Sequence, residues 1–270
     1  MSWGSSQVTN AITSAVVGSP NPVHSATGAK ILDGEDDLDF ALPGLLPIVW
    51  QRYYNSHDER RNGLFGASWS VIYEVSVTIG LPPEGGERLI YTDEQARQID
   101  MGVVPPGGAV FSAGEGLSVR RHANGQLLID SVDGIYRLFE PMPGTPSHLR
   151  LSQLGDRNDN RIVLDYDAQG RLSQLRDTFN DVRVELGYSH QWAGRVEHLE
   201  RVYADHSRET LASYAYDMRA DLCEVRDATG HLPQERHLLG NPELICQFFE
   251  VLLKTPFTEN HQLTASRQLR

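Results

Sequence analysis

Several residue sets in this chain have the types and spacing that chemistry would need. Asp156, Asn158 and Asn160 match the first three ligand positions of a calcium loop. The sixth position should be glycine and is Arg161, and the twelfth should be glutamate and is Asp167. The same stretch reads more simply as a turn. Asp33, Glu35, Asp36, Asp37 and Asp39 form an acidic run that suits a solvated loop, with a weak divalent site as the functional reading. His190, His198 and His206 recur every eight residues but straddle a turn, which places them on different elements. Zincin, nucleophile-elbow, phosphate-loop and dinucleotide signatures are absent from the sequence. No catalytic residue, cofactor or metal is assigned. Tyr166, Tyr188 and Tyr216 pose a different alternative: a sugar-stacking platform, or aromatic anchors of a repeated core. Repetition at equivalent positions favours anchors.

The elements that carry these residues are repeats. Arg150-Leu151-Ser152-Gln153-Leu154 recurs unchanged as Arg171-Leu172-Ser173-Gln174-Leu175. Looser copies follow at Arg195-Val196-Glu197-His198-Leu199 and Asp221-Leu222-Cys223-Glu224-Val225. The spacings are 21, 24 and 26 residues. Self-similarity of this period marks one supersecondary unit stacked on itself. Within a unit, Ile162, Leu164 and Tyr166 alternate as on a strand, as do Val182, Val184, Leu186 and Tyr188. Asp167-Ala168-Gln169-Gly170 is a turn, with Gly170 free to take positive φ, and Gly194 serves the next copy. Leu172 and Leu175 lie on the returning strand. Each unit is thus a short β-hairpin, which needs neighbours to be stable.

The pairs Tyr166-Asp167 and Tyr216-Asp217, with Gly170-Arg171-Leu172 and Gly194-Arg195-Val196, resemble the YD repeats of Rhs proteins. Asn21-Pro22-Val23, Thr27-Gly28, Asp39-Phe40, Leu42-Pro43-Gly44-Leu45-Leu46-Pro47, Trp50-Gln51-Arg52-Tyr53-Tyr54-Asn55-Ser56 and Gly63-Leu64-Phe65-Gly66-Ala67-Ser68-Trp69-Ser70 resemble the N-terminal part of bacterial Rhs cores. The resemblance spans roughly residues 21 to 230. It implies a hollow β cocoon enclosing a C-terminal toxin, closed at one end by the N-terminal part and carried in many bacteria by the type VI secretion machine. The implied partners are the remainder of the shell, an encapsulated toxin, spike components or a dedicated chaperone. This chain lacks the Asp-Pro self-cleavage pair and has no room for a spike-tip domain, so a truncated or frame-shifted remnant is one alternative. A cell-surface module binding carbohydrate or protein is another, and a toxin activity in the tail a weaker third.

The expected fold is mainly β: antiparallel hairpin repeats forming part of a curved shell, with a short C-terminal helix. Residues 1–20 read as a flexible lead, 21–145 as a plug-like β block, 146–231 as the repeat sheet and 232–270 as a non-repeat tail. In the tail, Asn241-Pro242-Glu243 starts a helix over about 242–254 with an apolar stripe from Leu244 to Leu252. Trp50 and Trp69 read as packing residues where the block meets the first sheet. Charged residues are 22% and hydrophobic ones 40%, which is globular. A net charge of −12 disfavours nucleic acid as a partner. The apolar run from Ala11 to Val17 is too short to span a membrane. No Lys or Arg precedes Lys30, so the chain is expected to be made in the bacterial cytoplasm and exported, if at all, by a dedicated machine. Cys223 and Cys246 are expected to be reduced thiols.

Overall fold

The computed structural model describes residues 31–32, 37–58, 60–81 and 85–229. The flexible lead and the helix expected at 242–254 lie outside them. A small sheet is built from β1 (Ile31–Leu32), β2 (Leu38–Leu42), β3 (Ile48–Asn55) and β4 (Trp69–Val71), all antiparallel on β3. A 3-10 turn, Ile72–Glu74, leads into β5 (Ser76–Gly80), β6 (Arg88–Thr92) and β7 (Gln98–Val103). Then follow β8 (Ala109–Ser112), β9 (Leu117–Arg121), β10 (Leu127–Ser131), β11 (Ile135–Met142) and β12 (Thr145–Asp156). The repeats supply β13 (Arg161–Tyr166), β14 (Leu172–Asp177), β15 (Arg183–Tyr188), β16 (Val196–Val202), β17 (Arg208–Tyr216) and β18 (Leu222–Asp227). The mainly β, antiparallel fold read from the alternating pattern is therefore what forms.

Strands β5 to β18 make one 14-stranded sheet that does not close into a barrel. From β8 to β18 each strand pairs with its sequence neighbour. The sheet forks at the long strand β12. One edge of β12 pairs with β11; on the other, His148–Arg150 pair with β5 while Gln153–Gly155 pair with β13. The flap β5–β7 and the repeat flap β13–β18 thus diverge from a shared strand.

The repeated pentapeptide has a specific backbone consequence. Its two apolar residues are three apart, which in a regular strand would put them on opposite faces. Yet Leu151 and Leu154, Leu172 and Leu175, Val196 and Leu199, and Leu222 and Val225 are all buried. A β-bulge reconciles the two facts. Asp165 pairs with Gln174 but Tyr166 with Leu172, so Ser173 is the extra residue. Ser152, Glu197 and Cys223 are skipped in the same way. The extra residue returns the second apolar side chain to the core and adds twist at each hairpin. At two of the bulges the serine hydroxyl donates to a carbonyl across the pair, Ser152 to Leu138 and Ser173 to Asp165, both at 3.1 Å. Cys223 is disulfide-bonded, against the expected reduced thiol, and its partner lies outside the described residues.

Two further glycines have a packing reason. Gly155 faces Tyr136 and Gly187 faces His198 as cross-strand pairs, and a Cβ on either would stand 2.2 Å from the opposing ring. An aromatic ring laid over a strand glycine covers backbone that a side chain would otherwise protect.

Candidate functional site: the seam between the N-terminal block and the repeats

The turns after β12, β13 and β17 begin with an aspartate, and the turn after β15 begins with Ser189, whose Oγ accepts Gln191 N–H at 3.2 Å. The Oδ1 atoms of Asp156, Asp167 and Asp217 each accept two backbone N–H groups, from the residues two and four positions on. Asp156 Oδ2 also accepts the Asn160 side-chain amide at 2.7 Å. The carboxylate that matched a calcium ligand is thus engaged in shaping the turn. Gly170 and Gly194 take φ of 80° and 81°, the left-handed region that glycine enters without strain. His190 and His206 lie in turns at opposite ends of β16, and His198 lies over Gly187 between them.

The tyrosine that ends β13, β15 and β17 is half-buried and bonded inward. Tyr166 donates to the Leu151 carbonyl at 2.5 Å, Tyr188 to Leu172 at 2.7 Å, and Tyr216 to Val196. Every acceptor is the first apolar residue of the preceding repeat, so each phenol ties one hairpin to the last. The arginine beside that acceptor covers the ring: Arg150 stands 3.9 Å over Tyr166 and Arg171 4.3 Å over Tyr188. Burial, the main cause, holds all three phenols above their ordinary range, and they donate at any physiological pH. Tyr188→Phe is expected to cost about 1 kcal/mol, the net worth of one such bond, read from urea unfolding. No loss would mean the hydroxyl contributes nothing to the stack.

The series changes at its third member. Arg195 is buried, and instead of stacking it donates to three backbone carbonyls: Ala220 at 2.7 Å, Gly63 at 2.8 Å and Arg61 at 2.8 Å. Two of these belong to the loop before β4. That loop also meets the repeats as backbone: Val196 N–H donates to Leu64 O and Leu222 N–H to Phe65 O, both at 3.1 Å. In the fourth repeat the arginine position holds Asp221, whose Oδ1 accepts Ala67 N–H at 3.1 Å and Arg61 Nη1 at 3.2 Å. Gly66 has φ 92°, and a Cβ there would lie 2.5 Å from the Ala220 carbonyl, so only glycine passes over the repeat turn.

Around this loop lies an aromatic core. Phe65 is fully buried, with its ring 4.8 Å from Tyr214 of β17 and edge-on to Trp50 at 6.4 Å. Trp50 stacks on Phe40 and Tyr73. Trp69 meets Tyr54 edge-on, with the Arg52 guanidinium 4.9 Å from its ring. Both tryptophans are thus placed where the block packs, and Leu172 and Leu175 are buried beneath. A polar triad completes the seam: Arg52 Nε donates to Asp39 Oδ1 at 2.9 Å, and Tyr214 donates to Asp39 Oδ2 at 2.6 Å. Burial raises the Asp39 carboxyl, opposed by Arg52 and Tyr214. Glu74 is half-buried, with its carboxylate turned in behind the loop. Its Oε1 accepts Leu64 N–H at 2.7 Å, its Oε2 has no partner, and burial pushes its carboxyl up to about 7.

Sequence reasoning named Arg195 only as a repeat arginine and Asp39 within an acidic run read as a solvated loop, and did not single out Glu74. Against that reading, Asp37 and the Asp39 side chain are buried beside Arg52, Asp39 within β2, because the guanidinium offsets their charge. One signal was present: three repeats carry arginine where the fourth carries Asp221, and the exception marks where the loop lands. The arrangement is suited to locking two chain segments together. Among the described residues, no group of three His, Cys, Asp or Glu side chains converges as metal ligands, and no helix is long and apolar enough to cross a membrane.

Comparison with known proteins agrees with the motif reading. Residues 20–101 match a family described as a domain of unknown function, DUF6531. The chain is 29% identical over 213 residues to "Double-stranded DNA deaminase toxin A" of Burkholderia cenocepacia (strain H111), covering 78% of this chain and 14% of that protein. It is 28% identical over 209 residues to "Probable deoxyribonuclease RhsB" of Dickeya dadantii (strain 3937), covering 76% and 14%. The chain therefore spans about one seventh of the length of these relatives, and what their names say they act on describes those proteins.

Proposed function

We propose that this chain, which belongs to the Rhs family, is a non-catalytic part of a β shell that encloses and delivers a C-terminal toxin. The observation that carries this reading is the seam. A loop of the N-terminal block is bonded through backbone, Arg195 and Asp221 to the edges of successive hairpins, as a plug is held to a wall. Two relatives with toxin or nuclease names match over this same region. The inward bonds of Tyr166, Tyr188 and Tyr216 support anchoring over a sugar-stacking platform. The partners in this reading are the rest of the shell and its enclosed polypeptide, with secretion by a dedicated machine of the type VI kind. A plug-like block, 21–145, and a repeat sheet, 146–231, are the two working parts.

The test has two arms. The purified chain is incubated with double-stranded DNA, and neither deamination nor cleavage is expected. The chain is then co-expressed with the remaining shell repeats and a toxin of a relative, and the toxin is expected to resist protease only when the chain is present. Activity on DNA by the chain alone, or a toxin digested equally fast with and without it, would overturn the shell reading.

A further inference from the structure

Among the described strands, β7 and β8 each bond to one neighbour, β6 and β9 respectively, and not to each other. Their free edges border one slot, because the flap β5–β7 folds over the arm β8–β11. Tyr91 of β6 meets Phe139 of β11 at 6.0 Å, and Arg121 of β9 donates to the Val104 carbonyl at 3.2 Å. At one end of the slot the chain turns from β7 into β8, with Gly108 N–H donating to Pro105 O at 2.8 Å. At the other end Arg97, just before β7, pairs with Glu115, just after β8, at 3.5 Å. Between these ends the Cα atoms of the two strands stand almost everywhere more than 8 Å apart. Bonded strands lie about 4.8 Å apart, so one strand laid between β7 and β8 would separate them by about 9.6 Å, as that spacing allows.

The lips of the slot are apolar. Ile99 of β7 and Val110 of β8 are half-buried against the core, and Val103 and Phe111 are 55% and 62% exposed. β8 is the more open lip. It carries no charge, no proline and no register shift, and the residues after it stay uncharged to Gly114. β7 is bulged and holds one acid, Asp100, which Arg88 engages. An edge without charge, proline or bulge is a ready template for a further strand.

The chain holds a segment of matching chemistry. Residues 1–29 contain no Asp, Glu, Lys or Arg, in a chain that is 22% charged. Within them Ala11-Ile12-Thr13-Ser14-Ala15-Val16-Val17 is rich in β-branched residues, which suit a strand. The described chain also begins at the right place. Ile31 pairs with Asn55, and Asn55 Nδ2 donates to the Gln95 carbonyl at 2.8 Å, two residues from Arg97 at the mouth of the slot. Residues 18–30 reach about 40 Å when extended, about three times the length of β8. We propose that residues 11–17 lie in the slot as an added strand, hydrogen-bonded to the free edge of β8, and so complete the N-terminal block. The inference concerns the block alone, so it and the shell reading can each fail without the other.

Hydrogen exchange of the full chain, read by mass spectrometry at a low and a high protein concentration, tests this. Residues 11–17 are expected to exchange on the order of ten-fold or more slower than an unstructured chain, equally at both concentrations. Placing Ile12→Asp and Val16→Asp together in the segment is expected to restore fast exchange there and to speed exchange in residues 109–112, while β13–β16 stay as slow as before. Fast exchange of residues 11–17 in the unaltered chain would overturn the proposal. So would slow exchange there with residues 109–112 unaffected by the substitutions, which would put the segment elsewhere. Protection of residues 109–112 that grows with concentration would make a second copy the occupant and overturn it too. A benzophenone side chain in place of Phe111, on the exposed face of β8, keeps the test decisive if the substituted chain does not fold. Irradiation is expected to cross-link position 111 to residues 8–20 of the same chain, and a cross-link only to another copy, or none, would end the proposal.

Discussion

Arg195→Met is expected to destabilise the chain by roughly 3–5 kcal/mol, several times the loss from Arg171→Met at the equivalent position of the previous repeat. Both arginines follow a turn glycine and precede the first apolar residue of a returning strand. Arg171 covers Tyr188 and pairs with Asp167 at a half-exposed site, which is worth about 1 kcal/mol. Arg195 is 6% exposed and is the donor for Ala220, Gly63 and Arg61 carbonyls together. Methionine fills the space of the aliphatic stem but leaves those carbonyls without their charged donor, and the loop loses its hold on the wall. Arg195→Lys keeps the charge but cannot span three acceptors with one ammonium, so an intermediate loss is expected. Urea unfolding of the three variants checks this. Equal losses at positions 171 and 195 would show that the fork adds nothing to ordinary repeat packing.

How much of this was legible in the sequence follows from what kind of pattern each feature leaves. Alternation at Ile162, Leu164 and Val184, Leu186 is a local signal, and the strands formed where it pointed. The turn aspartates and Gly170 and Gly194 are local as well, because a side chain bonding its own backbone needs no distant partner. The bulges were half-legible. The spacing of Leu172 and Leu175 was visible, but only the register shows that Ser173 is the residue left over. The seam left almost no trace. Leu64 and Val196 are far apart in sequence, Arg195 looks like any other repeat arginine, and Glu74 lies in an unremarkable strand-rich stretch. Contacts between distant segments are set by three-dimensional register, and one chain carries no periodicity that reports them. The tail helix and Cys246 fall outside the described residues.

The seam also carries an ionisable group that works against it at high pH. Glu74 is held in the fold with its carboxyl pushed up to about 7 by burial, against an ordinary value of 4.5. The neighbouring Arg60 and the Leu64 N–H favour the charged form but do not offset the burial, and Asp58 adds to it. Between those two values the folded chain keeps a proton that the unfolded chain has released. Folding is then proton-coupled, and stability falls as pH rises from about 4.5 through about 7, levelling off above it. Over that interval the loss is on the order of 3 kcal/mol, since each unit is worth about 1.4 kcal/mol. Glu74→Gln removes the titration. Its carbonyl oxygen can still accept Leu64 N–H, and its amide occupies the place of the unpartnered Oε2, so at pH 5 it should resemble the unaltered chain. At pH 8 it should be the more stable of the two. The quantity to measure is the difference in unfolding free energy between the two chains at pH 5 and at pH 8, because a fixed packing cost of glutamine cancels between them. A difference that does not change with pH would mean Glu74 reaches water when it ionises, and that the loop it supports is looser than its bond to Leu64 implies.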